Sequence, residues 1–291
     1  HSKVYLFTRP RHFGKTLTMD MIRTYFEKTS TDTSIYFSDK KIWNCGDAYK
    51  QLQGTYPVIF LSFKDAHQTN WTDMYRSLCF TLKEEFLRHI ELLSSKAIND
   101  VADSTDYQFA LGKLSSLLAT HYNQKVIIII DEYDTPIQQG HLYHYYNEVV
   151  GFMRNLFSSA LKDNENLEFG ILTGILRIAK ESLFSGLNNL VVNTILDDKY
   201  SEYFGFTVND ISNMAAYYGM AEKLSEIKEW YDGYLFGNTE IYNPWSVINY
   251  FNNNCKPKAF WSRTSGNEII GELIRSSDKE VYESLSLLLQ G

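Results

Sequence analysis

The chain has only three cysteines, Cys45, Cys79 and Cys255, in 291 residues. They are scattered and odd in number, which speaks against a disulfide framework and against metal-type spacing, so a reducing cytoplasm is the expected setting. Long apolar runs are missing too. No stretch approaches the ~20 residues of a membrane span, and nothing at the start resembles a signal peptide. Basic charge is not in excess either: Lys and Arg number 28 against 35 Asp and Glu, a formal balance of −7. That balance argues against a general electrostatic grip on nucleic acid and leaves only a local basic patch open. Repeats and low-complexity tracts are absent. What remains is an ordinary hydrophobic share, 44%, in a chain long enough for one large or two modest domains.

Two segments stand out from this background. The first is Phe7-Thr8-Arg9-Pro10-Arg11-His12-Phe13-Gly14-Lys15-Thr16, which lies between an apolar run and a helical pattern. This is the strand, loop and helix context of a phosphate-binding loop. A triphosphate needs backbone N–H groups converging at a helix N-terminus and a mobile cation. Gly14 leaves the backbone open, Lys15 can reach β- and γ-phosphate oxygens, and the Thr16 hydroxyl can ligate Mg²⁺. Leu17, Met21, Ile22, Tyr25 and Phe26 fall on one face of the helix that follows. Against the pattern G-x-x-x-x-G-K-[ST], Arg9 replaces the first glycine and Pro10 removes one donor; Arg9 and Arg11 add positive charge where phosphate would lie. An ordinary helix start is the alternative reading of Gly14-Lys15-Thr16.

The second segment is Val126-Ile127-Ile128-Ile129-Ile130-Asp131-Glu132-Tyr133-Asp134. Five β-branched residues in a row suit a strand covered on both faces, as in a parallel sheet between helices. Asp131 then emerges at the carboxyl end, where open α/β sheets bind ligands. It is the candidate metal ligand opposite Thr16, and Glu132 the candidate general base that polarises water. Asp134 is a third acid without an evident role. A solvated turn after a buried strand is the alternative. Downstream, Glu168 to Thr173 reads as a strand inserted between the other two, with Thr173 facing the γ-phosphate. Arg177 either stabilises transition-state charge or is a surface residue.

Alternating strands and helices continue through Val58 to Phe63, the helical faces Met74, Leu78, Leu82, Phe86 and Leu111, Leu114, Leu117, Leu118, the helix of Val149, Met153, Leu156, Phe157, Leu161, and a fifth strand over Val191 to Ile195. They predict an α/β fold with a parallel sheet covered by helices on both faces. After Phe206 the pattern changes. Thr207 with Asp210 starts a helix, a second ends near Trp230, Tyr234 to Tyr242 forms a hairpin turning at Gly237-Asn238, Asn243-Pro244 opens a further helix, and two helices run to the end. The expected organisation is a nucleotide-binding core over 1–205 and a small, mainly helical subdomain over 206–291, lid-like or winged-helix-like. Tyr242, Trp245, Phe260 and Trp261 are either its core or a partner surface. His141 and His144, three apart, are surface or packing residues rather than metal ligands.

The set Tyr5 to Thr16, Tyr56-Pro57-Val58-Ile59, Ile130 to Pro136, Leu172 to Lys180, Phe184 to Asn189, Tyr242 to Ser246 and Thr264-Ser265-Gly266-Asn267 resembles the AAA-ATPase-like proteins of bacteria, a family of P-loop NTPases. Their loop also tends to carry Arg-Pro-Arg in place of the early glycine, with a second arginine where this chain has His12. The resemblance implies binding of ATP with Mg²⁺ by the loop from Arg9 through Leu17 (Arg9, Pro10, Arg11, His12, Phe13, Gly14, Lys15, Thr16 and Leu17) together with Thr173. It also implies that hydrolysis uses Lys15, Glu132 and Arg177, and that a PD-(D/E)xK nuclease-like domain follows beyond Leu289-Gln290-Gly291. Glu226-Ile227-Lys228 carries the Glu-x-Lys letters of such a domain but reads as a solvated helix face.

Overall fold

The computed structural model of the chain describes residues 4–89, 106–178, 183, 184, 187 and 190–260. Its centre is a five-stranded parallel sheet made of β1 (Val4–Thr8), β2 (Val58–Ser62), β3 (Val126–Asp131), β4 (Leu167–Gly174) and β5 (Leu190–Asn193), in the order β2-β3-β4-β1-β5. The third apolar strand does insert between the loop strand and the acidic strand: Phe7 lies opposite Thr173, and Ile130 opposite Leu172. All six residues of β3 are buried. This is the reason for its unbroken run of branched residues, because both of its faces are covered.

Side chains alternate between the two faces of the sheet. Leu6, Ile59, Leu61, Ile128, Ile130 and Leu172 point toward α3 (Trp71–Arg88), α4 (Ala110–Tyr122) and α6 (Tyr146–Leu161), which supply Met74, Leu78, Leu82, Leu111, Leu114, Leu118, Val149, Met153 and Phe157. Phe7, Val58, Ile127, Ile129 and Ile171 point the other way. There α1 (Lys15–Phe26) contributes Met19 and, half-buried, Ile22 and Phe26. Short α2 (Asp47–Lys50) and α5 (Thr135–Leu142) lie in the connections after α1 and β3.

The packing face of α1 differs from the expected one in its phase. Leu17 is 74% exposed and Met21 52%, while Met19 is fully buried. Apolar residues occur around most of this short helix, so periodicity alone left the rotation open. Contact with Ile127, Ile129 and Ile171 fixes it.

The open edge of the sheet is closed by side chains. Glu85 on α3 accepts a hydrogen bond from the outward N–H of Phe60 at 2.9 Å, and Arg88 Nη2 donates to the carbonyl of Val58 at 2.7 Å. Arg88 also binds Glu85 and reaches Glu27 just past α1. Burial pushes the Glu85 carboxyl up, but hydrogen bonds from Arg88 and His89 together with the Arg88 charge outweigh it, so the carboxyl lies below its ordinary range. Such plugging of an edge strand blocks strand addition by another chain.

The C-terminal region contains more strand than expected. β6 (Phe206–Thr207), β7 (Tyr234–Phe236) and β8 (Thr239–Tyr242) make a three-stranded antiparallel sheet in the order β6-β8-β7. It is accompanied by α7 (Val208–Tyr217), α8 (Leu224–Tyr231) and α9 (Pro244–Asn252). The caps are those legible in the sequence. Thr207 and Asp210 form a reciprocal capping box at α7, and Asn243 accepts from the N–H of Ser246 ahead of Pro244 at α9; a cap of this kind is worth ~1 kcal/mol. The hairpin turns at Gly237-Asn238 as expected. Its Phe236 and Ile241 belong to the same apolar cluster as Phe7, Met19 and Ile127, so it covers part of the sheet itself. Trp261, Thr264 to Asn267 and the expected last two helices lie outside the described residues, apart from 253–260, which form no helix. Among the described residues no helix is long and apolar enough to cross a membrane.

Candidate functional site

The carboxyl ends of β1, β3 and β4 meet at one place, because the parallel register sets Thr8 opposite Gly174 and Ile130 opposite Leu172. The loop after β1 is tied there by its backbone: the N–H of Arg9 donates to the carbonyl of Gly174 at 3.1 Å. At its far end Gly14 has φ +76°, a left-handed conformation natural to glycine, and no described atom lies within 4 Å of where its Cβ would stand. Helix α1 starts directly after it, with the N–H of Thr18 bonded to the Gly14 carbonyl. Lys15 folds back over this loop. Its ammonium donates to the carbonyls of Arg9 at 3.1 Å and Pro10 at 2.9 Å. Burial lowers the Lys15 pKa, and the charges of Glu132, Asp134 and Asp131 offset part of this, whereas Arg11 adds to the lowering.

Strands β3 and β4 and the start of α1 are then joined by hydroxyl groups. Thr16 Oγ1 donates to Asp131 Oδ2 at 2.6 Å, and Thr173 Oγ1 donates to Asp131 Oδ1 at 2.5 Å. Asp131 and Thr173 are fully buried, while Thr16 is exposed. The Asp131 carboxylate thus has one donor on each oxygen. Glu132 turns the chain with φ 54°, and its Oε2 accepts from Thr135 Oγ1 at 3.2 Å.

Asp134, the acid without an evident role in the sequence, organises the exit from β4. Its Oδ2 accepts from the N–H groups of Leu176 at 2.7 Å and Ile175 at 3.0 Å and from Gln138 at 2.7 Å. Its Oδ1 has no partner among the described residues, and burial holds the carboxyl above its ordinary range. Tyr133 grips the same segment, donating to the Leu176 carbonyl and accepting from the Ile178 N–H. Gly174 makes the approach possible. A Cβ there would stand 2.5 Å from Asp134 Oδ1 and 2.7 Å from the Tyr133 ring.

Arg9 and Phe13 point elsewhere than a phosphate reading of the loop suggests. The Arg9 guanidinium is buried, donates to Thr8 O, Asn193 O, Asn193 Oδ1 and Tyr200 O, and lies over the rings of Phe204 and Phe236. Burial brings its pKa down to about 10, partly offset by Asp197. In this arrangement its charge fastens the end of β5 instead of lying over the start of α1. Phe13 is buried against Tyr234 and Phe236 of β7, and the His12 ring lies 5.5 Å from that of Trp245. Arg11 and Pro10 are half-buried, and Leu17 and Arg177 are exposed; the charge of Arg177 is felt by Asp197. Asn193 and Tyr133 are the residues that sequence reasoning passed over. Nothing in their local patterns signals a role, since their partners lie 184 and 43 positions away.

A five-stranded parallel sheet in this order, with a Gly-Lys-Thr loop at the end of β1 and an acid at the end of β3, is the fold of a P-loop NTPase. The chain belongs to the predicted AAA-ATPase family, AAA-ATPase-like, which it matches over residues 1–184. It is also similar to a curated protein of Azotobacter chroococcum mcd 1, "Uncharacterized protein in vnfD 5'region", with 24% identity over 272 residues. The match takes in 93% of this chain and 49% of that protein, so the chain spans about half the length of the curated relative. Family membership implies that the chain binds a nucleotide.

Proposed function

We propose that the chain is a Mg²⁺-dependent ATPase that works as a molecular switch or motor. The observation that carries this reading is the hydroxyl–carboxylate chain Thr16–Asp131–Thr173, set beside Lys15 at the start of α1. Its donor set is made of hard oxygens, the kind Mg²⁺ takes, and Thr16 and Asp131 are the residues that would hold the ion. Bound Mg-ATP would supply a polarised γ-phosphate with its charge partly neutralised.

The chain's own groups fit the remaining tasks. Lys15 lies buried over the loop, where burial lowers its pKa and the neighbouring acids offset part of that lowering. Gly14 and the N–H groups that open α1 present donors to phosphate oxygens. Glu132, one residue beyond Asp131 and half-exposed, takes a proton from water. Thr173 orients the Asp131 carboxylate and passes its position to β4. Arg177, exposed on the segment that Asp134 and Tyr133 hold, stabilises developing charge. In this reading residues 1–205 are the ATPase core, and the region from 206 onward is a coupling element packed on the loop through Phe13.

Glu132→Gln is the test. The variant is expected to bind Mg-ATP as wild type does and to hydrolyse it about 10²-fold to 10⁴-fold more slowly; equal turnover would remove Glu132 from the mechanism. The burial of Phe13 in the hairpin favours a second reading, a regulatory module that binds nucleotide, rarely turns it over, and controls a partner such as a nuclease-like domain of the longer protein. Turnover near zero, with Mg-ATP stabilisation approaching ~2.7 kcal/mol at a hundred times Kd, would favour it.

A further inference from the structure

Far from the loop in sequence, α3 and α6 enclose a cleft of about 370 Å³ beside the start of the segment that leads into α4. Three aromatic rings form a corner in it. Trp71 and Tyr75 are one helical turn apart on α3, with ring centroids at 5.7 Å and planes at 54°. Phe152 on α6 lies 5.6 Å from Tyr75 at 87° and 6.3 Å from Trp71 at 63°. Two carboxylates, Asp106 and Glu148, border the same cleft, and no Lys or Arg is among its described lining residues. Gly151 on α6 lines it as well. A glycine inside a helix of 16 residues destabilises it by ~1 kcal/mol relative to alanine. Its backbone does not require one, since its φ is helical, and no described atom lies within 4 Å of where its Cβ would stand. The missing side chain keeps the cleft open.

We propose that this cleft binds a small organic ammonium ion, with a quaternary or alkylated nitrogen against the rings of Trp71, Tyr75 and Phe152 and its charge answered by Asp106 and Glu148. Aromatic faces attract a cation that has weak hydration of its own, and nearby carboxylates add to the attraction without needing direct contact. Among the described residues no group of three His, Cys, Asp or Glu side chains is placed to hold a metal ion, and the two carboxylates disfavour an anion. The volume lies within the range of small-molecule sites, which favours a free ligand over a protein surface. The same charge pattern selects among ligands: choline, whose hydroxyl can donate to a carboxylate, fits better than glycine betaine, whose own carboxylate would face Asp106 and Glu148. This inference does not depend on the ATPase reading.

The test is a titration of the full chain with choline chloride, followed by calorimetry and by Trp fluorescence, against sodium chloride at equal ionic strength. Choline is expected to bind saturably. Its neutral isostere 3,3-dimethylbutan-1-ol should bind at least about tenfold more weakly, since cation–π and charge contributions of more than ~1.4 kcal/mol are lost. Gly151→Leu should fill the cleft and abolish binding while the far-UV spectrum is retained. Glu148→Gln, a change at an exposed helix position, should weaken choline severalfold and leave the neutral alcohol unaffected. The proposal is overturned by the absence of saturable binding, by equal affinity for choline and its isostere, or by a folded Gly151→Leu protein that binds choline as wild type does.

Discussion

The ring of Phe13, in the loop between β1 and α1, packs 5.2 Å from the ring of Phe236 in the C-terminal hairpin, centroid to centroid. Both are almost fully buried, and Tyr234 meets Phe13 edge-on from the same strand. A residue two positions from Lys15 is therefore part of the joint between the phosphate loop and the region after residue 206. Movement of the hairpin and a change in loop shape cannot be independent.

Phe13→Ala should destabilise the protein by about 3–5 kcal/mol, as expected for removal of a buried aromatic ring, read from the midpoint of urea unfolding. It should also reduce the stabilisation given by Mg-ATP, because the loop loses the contact that sets its path. Unchanged nucleotide affinity in a folded Phe13→Ala protein would reduce the Phe13–Phe236 contact to packing alone.

Thr173→Val keeps the shape of the side chain and removes the donor to Asp131 Oδ1. A buried carboxylate oxygen left without its partner costs about 1–3 kcal/mol, so denaturation should begin at lower urea. Thr173→Ser should restore most of the loss, since it returns the hydroxyl. The two variants compared by calorimetry separate the hydrogen bond from the volume; a loss in Thr173→Ser with none in Thr173→Val would point to the methyl group instead.

Asp134 gives a pH signature. Burial holds its folded pKa above the ordinary 3.8, with the Leu176 and Ile175 N–H groups and Gln138 offsetting only part. As pH rises from 3.8 through the folded value, the unfolded chain loses its proton first. Stability that is fully present below 3.8 is therefore lost across that window. Asp134→Asn cannot ionise and keeps an acceptor for the two N–H groups. Its stability relative to wild type should rise across the window and level off above it, in urea midpoints measured from about pH 4 to about pH 7. Parallel curves for the two proteins would show that burial does not raise the Asp134 pKa.

Much of this architecture was legible in advance where one local cause suffices. Val126 to Ile130 had to be a strand covered twice, because five branched residues cannot leave either face in water. Asn243-Pro244 and Thr207 with Asp210 marked helix starts through caps that need only neighbouring residues. The insertion of the Glu168 to Thr173 strand between the other two followed from likeness to NTPases that carry a glutamate after the acidic strand, not from any local pattern. The phase of α1 was not legible, since Leu17 and Met21 are as apolar as Met19, and only the opposing strands choose among them. Arg9 misled for a related reason: a positive charge in a phosphate loop says nothing about which way its guanidinium turns.

The sequence by itself determined the kind of elements, their order and the residue types gathered at the end of β1 and β3, because periodicity, capping and steric permissiveness act over a few residues. Only the tertiary structure decided that Arg9 fastens β5 through Asn193, that Phe13 is held by the hairpin, and that Asp134 secures the segment after β4. Each of those contacts joins residues at least 41 positions apart. They exist because the parallel register brings three strand ends together in a space where every buried charge and ring must find a partner.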